Sequence, residues 1–129
     1  MAFSDYLEDK VLDHVFGGNA FTAPSTLYVA LFTVAPSDTG GGTEVSGGAY
    51  ARQTATFSVS GTNPTEASNT ASIEYPTATA SYGTVVAVGV FDASSSGNLL
   101  AYSNLTTSKA IDTGDVFRIN TGDLDIRLA

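Results

Sequence analysis

The sequence predicts an all-β fold: an antiparallel β-sandwich of about seven or eight strands, jelly-roll-like or immunoglobulin-like in outline, with one N-terminal α-helix. Three observations carry this. The last third alternates apolar runs with turn clusters, from Val85-Val86-Ala87-Val88-Gly89-Val90-Phe91 through Asp92-Ala93-Ser94-Ser95-Ser96-Gly97-Asn98 to Leu99-Leu100-Ala101-Tyr102. Helical periodicity is confined to the opening residues. Thirteen glycines punctuate the 129 residues, and no linker or solenoid repeat divides them, so residues 1–129 form one domain with the sandwich over about 26–128.

The opening reads as a helix over about residues 4–16. Phe3, Leu7, Val11 and Val15 recur every fourth position, and Leu12 and Phe16 widen the stripe. Asp5 is placed to cap it, with Glu8 three residues on, and Gly17-Gly18 supplies the stop. An apolar arc this wide should lie against the sheet or a neighbouring subunit. Residues 26–33 are apolar on both alternating faces, which marks a central strand covered on both sides, one of them by the helix. Residues 35–48 hold five glycines and a proline and read as a loose loop, free to order against a partner. Residues 60–67 and 75–83 read similarly. Between them fall strands at 50–58, with Ala51, Ala55 and Phe57 inward, and at 70–75, with Ala71, Ile73 and Tyr75 aligned. The last strands follow at 111–119 and 121–128. The expected core is Leu27, Val29, Leu31, Phe57, Ile73, Val86, Val88, Val90, Leu100, Tyr102, Val116, Phe117, Ile119, Leu124 and Ile126.

Composition narrows the function classes. Thirteen acidic against five basic residues give a net charge of -8, and the bases are scattered singly. Nucleic acid and anionic membranes bind through clustered Lys and Arg, so neither is an expected partner. No run approaches a membrane span, and acids among the first apolar residues argue against a signal peptide. Only 14% of residues are charged, about half the usual share. A surface so rich in small hydrogen-bonding residues favours a homo-oligomer, a trimer or dimer.

Catalytic equipment is scarce. There is one histidine, His14, and no cysteine, which leaves a zinc site short of ligands, and no Gly-x-Ser-x-Gly nucleophile elbow is present to build a triad around His14. His14 falls within the helix's apolar arc and reads as a packing or contact residue. Asp112, Asp115, Asp123 and Asp125 read as turn and outer-face acids, with Asp123 and Asp125 on one strand face. A weak calcium site shared between subunits is the alternative for them. Asp38-Thr39-Gly40-Gly41-Gly42 lacks the Lys-Ser/Thr and following helix of a phosphate loop. Arg52 reads as a structural cation paired with a local acid. No catalytic, cofactor or metal residue is expected.

The segments Val90-Phe91-Asp92-Ala93, Gly97-Asn98-Leu99-Leu100, Gly114-Asp115-Val116-Phe117-Arg118-Ile119 and Gly122-Asp123-Leu124-Asp125-Ile126 resemble a family of small tailed-bacteriophage virion proteins. Residues 19–32 and Gly47-Gly48-Ala49-Tyr50-Ala51-Arg52-Gln53 agree, so the resemblance spans about Leu7 to Leu128. It implies a non-enzymatic structural protein of the virion, assembled in the host cytoplasm. The first expectation is a capsid decoration or cement protein on the outer lattice, with the major capsid protein as partner. A tail, baseplate or fibre-associated component, with tail proteins as partners, comes second. A host-receptor or glycan-binding module using exposed Tyr50 and Tyr82 comes third. Candidate interface residues are Phe3, Leu7, His14, Asp38, Glu44, Tyr50, Arg52 and Tyr82, on the helix and the 35–48 and 76–83 loops.

Overall fold

A computed structural model describes residues 1–128. In chain order its elements are β1 (Ala2–Phe3), α1 (Asp5–Val15), β2 (Leu27–Val34), β3 (Thr43–Glu44), β4 (Gln53–Ala55), β5 (Phe57–Ser60), β6 (Thr65–Asn69), β7 (Ile73–Glu74), β8 (Gly83–Phe91), β9 (Leu99–Ile111), β10 (Arg118–Ile119) and β11 (Asp125–Leu128). All pairings are antiparallel, and the fold is the expected β-sandwich with one N-terminal helix. The main sheet runs β1-β9-β8-β2-β3, with β4 also on β2. A three-stranded sheet, β11-β6-β5, and the pair β10-β7 supply the opposing layer.

The core follows from the register of β2 on β8. Val29 opposes Val90 and Leu31 opposes Val88, so these four side chains share one face. They pack against Ile73, Tyr75, Phe117, Ile119 and Leu124 from the second layer. Ala30, Phe32 and Ala87 occupy the other face, with Phe91 and Val86 against them. A register shift between Val85 and Ala87 explains how Val85 joins the inner cluster while its neighbour Val86 lies outside. Gly89 is needed on the outer face, because a Cβ there would lie 2.9 Å from Leu99 Cδ1 and 3.0 Å from Phe32 Cε1.

Several expectations are corrected. Ser4, not Asp5, caps the helix: its Oγ accepts the Leu7 N–H at 3.2 Å and also donates to the Leu99 carbonyl. An ionised Asp could accept the first bond but not donate the second. The helix makes its main contacts with β9 and β1 and not with a face of β2. None of its residues is fully buried, and Leu12, Val15 and Phe16 are 58%, 60% and 82% exposed. The strand read over 50–58 breaks at Thr56, so β4 serves the main sheet and β5 the small one, with Ala51 exposed. The loop read over 60–67 contains the start of β6, and the 70–75 strand shrinks to β7 with Ala71 exposed. Val116 is exposed too, and Asp123 sits in a turn before β11 rather than on a strand face with Asp125.

Candidate functional site

The expected site residues separate into two groups. Glu44, Tyr50, Arg52 and Tyr82 converge in one network beside β2. Arg52 Nε and Nη2 bind the Glu44 carboxylate at 2.9 and 2.8 Å, a two-pronged pairing that fits the planar guanidinium. Its Nη1 donates to the carbonyls of Ala93 and Ser96, both at 2.9 Å, and so clasps the turn between β8 and β9. The guanidinium lies 3.8 Å from the centroid of the Phe91 ring, within cation–π range. With only 6% of its side chain exposed, Arg52 joins three chain segments as an internal brace.

Tyr50 completes the network. β4 pairs with β2 up to Val29 and β3 begins at Phe32, which leaves Leu31 between them without a strand neighbour on that side. The Tyr50 hydroxyl accepts the Leu31 N–H at 3.0 Å and donates to Glu44 at 2.6 Å, while Val45 N–H takes the Leu31 carbonyl. A side chain thus stands in where the ladder lapses. Its ring stacks on Tyr75 at 6.0 Å and meets Tyr82 edge-on at 5.8 Å. Burial and then the bond to Glu44 raise the Tyr50 hydroxyl's pKa far above its usual value. Burial also pushes the Glu44 carboxyl up, but the bonds from Arg52 and Tyr50 and the Arg52 charge outweigh it and hold the pKa below 4.5.

The 35–48 segment is consequently fastened at both ends. Asp38 accepts the Asp5 N–H through its carbonyl at 2.9 Å and the Tyr102 hydroxyl through its carboxylate. Pro36 and Val45 are buried, and a Cβ on Gly42 would lie 2.6 Å from the Val34 carbonyl oxygen. A groove of about 540 Å³ opens between this segment and the 96–98 turn, floored by Phe32, Phe91 and Leu99.

The second group stays apart. Phe3 and Leu7 are half-buried at the β1–α1 corner. His14 is exposed near the helix end, where Nδ1 accepts the Phe21 N–H at 3.0 Å. Tyr82 is buried at 4% and Tyr50 is engaged by two rings, so neither offers an open platform for a sugar. Asp112 and Asp115 bond within their own turn, and among the described residues no three acidic or histidine side chains converge on a metal position. The sequence places Tyr75 inward but not in this network, and it does not single out Phe91, Ser4 or the Ala93 and Ser96 carbonyls. Only the aromatic character of Phe91 and Tyr75 signalled them, since backbone carbonyls leave no trace in a sequence.

The fold and its braced loops define a small antiparallel β-sandwich whose exposed features are a helix end, loops and sheet edges. Residues 2–127 match the family described as Podophage GP4 fiber I protein gp80. The chain belongs to this family, and it is accordingly a phage structural protein of the tail-fibre-like kind and a virion component. Comparison with curated proteins gives no match.

Proposed function

We propose that the chain is a fibre-associated structural protein that works by association, with no catalytic step. The supporting observation is the family match, which runs through nearly the whole chain to a fibre description. The architecture agrees. Arg52 and Tyr50 hold the loops in place before any partner arrives, which lowers the ordering cost of binding. The helix end, with Leu12, Val15 and Phe16 outward, and the Asp38 rim of the groove are the contact surfaces, with tail proteins as partners. Capsid decoration is the second reading, favoured by the acidic surface, which suits the outside of a shell away from packaged DNA.

Purified particles separated into heads and tails decide between them. A few to a few dozen copies travelling with tails are expected. Hundreds of copies travelling with heads would overturn the fibre assignment and establish the capsid one, with the major capsid protein as partner.

A further inference from the structure

In the sheet β11-β6-β5, strand β5 is an open edge. Ser58 opposes Ser68 and Ser60 opposes Glu66, and the Thr56 carbonyl accepts the Thr70 N–H at 2.9 Å. The alternation of an antiparallel ladder then sets the backbone groups of Thr56, Ser58 and Ser60 toward β6 and those of Phe57 and Val59 outward. Phe57 and Val59 also share a face with Ala67 and Ile126, and this apolar face runs past the core until Val59 is 72% exposed.

Several other edges are guarded. β11 carries Asp125 and Arg127, and β1, β3 and β10 are two residues long. The outer stretch of β9 carries Lys109 and faces an irregular register. β5 has no charge, no proline and no bulge, the devices by which edges resist pairing.

We propose that β5 pairs antiparallel with β5 of a second copy about a twofold axis at Val59. Charge singles out this occupant. Residues 53–65 hold no ionisable side chain, so two copies of this strip meet without like charges although each molecule carries -8. Register agrees. With Val59 opposite Val59, the two outward-facing backbones exchange both hydrogen bonds, Ser58 opposes Ser60, and the apolar face continues across the joint. A shift by one residue would set each valine against a serine of the opposite face.

Sedimentation equilibrium of the full chain over a concentration series tests this. A monomer–dimer equilibrium is expected, weakened at least tenfold by Val59→Lys, with the circular dichroism spectrum unchanged because Val59 is exposed. Val59→Cys supplies an independent arm, since the chain has no cysteine of its own. Facing Cα atoms in a hydrogen-bonded pair stand about 5.5 Å apart, within disulfide range. Oxidation should link Val59→Cys into a covalent dimer far faster than the exposed control Leu12→Cys. A monomer at every concentration, a dimer indifferent to Val59→Lys, or equal cross-linking of the two cysteine variants each overturns the proposal.

Discussion

Arg52 concentrates more of the structure than any other side chain, because it answers an acid, two carbonyls and an aromatic ring at once. Arg52→Ala leaves the Glu44 carboxylate partly buried without its cation and frees the β8–β9 turn. The expected loss is about 3–5 kcal/mol by urea unfolding, with Arg52→Lys intermediate because an ammonium cannot reproduce the fork. Glu44 also makes stability depend on pH. Its carboxyl is held below 4.5 in the folded chain, so its contribution is present above the unfolded value and lost as pH falls through the folded one. Melting temperature should therefore decline below about pH 4.5, and Glu44→Gln should flatten that decline while lowering stability at neutral pH. The flattening is partial. Arg127 and Ser68 hold the half-buried Glu66 carboxyl low, and burial pushes Asp92 up but the bonds from Asn98 outweigh it. That Arg52 pairs with a local acid was legible from its isolation among neutral residues. Which acid was not, since Glu44 lies eight residues away across glycines whose path only the fold defines.

At the scale of elements, periodicity located what it could. The central strand β2, the long strand β8 and the first residues of β9 announce themselves by continuous apolar character, whereas the rest of β9, Ser103 to Ala110, is mostly polar and exposed. β6 reads Thr-Glu-Ala-Ser-Asn, with neither alternation nor bulk, and it becomes a strand because β5 and β11 flank it. The 35–48 segment differs in the opposite direction: its glycines all turn the chain at positive φ, and Gly42 and Gly48 do so packed against neighbouring backbone. Gly48 shows the difference, with φ +62° and a Cβ position 2.7 Å from the Ala80 carbonyl oxygen. Gly48→Ala should cost about 2 kcal/mol or more, read as a fall in melting temperature. Helix α1 hangs on Ser4 in the same concrete way. Ser4→Ala removes both the cap and the tie to β9, and about 1–2 kcal/mol should go with it. Amide exchange in the first helical turn should rise alongside, which a purely global destabilisation would not single out.

For the whole molecule, two unlike layers share one core: a broad sheet anchored on β2, β8 and β9, and small sheets with turns that close over it. Sequence reasoning reached that outline because strands and turns alternate so regularly. A wide apolar arc normally finds cover, on the sheet's face or on a neighbouring subunit. The helix instead stands at the β1–β9 corner with Leu12, Val15 and Phe16 turned to solvent. This has a colloidal consequence. At neutral pH the net charge of -8 opposes non-specific clustering through these exposed apolar side chains. Near the isoelectric point of about 4.1 that repulsion vanishes while the side chains stay exposed. Turbidity should peak there, and Phe16→Ser should suppress the peak while leaving melting at neutral pH unchanged, because Phe16 is 82% exposed. Acidification thus weakens the repulsion that keeps molecules soluble while also withdrawing the stability that the Glu44 brace contributes, so a virion passing through acid would meet both.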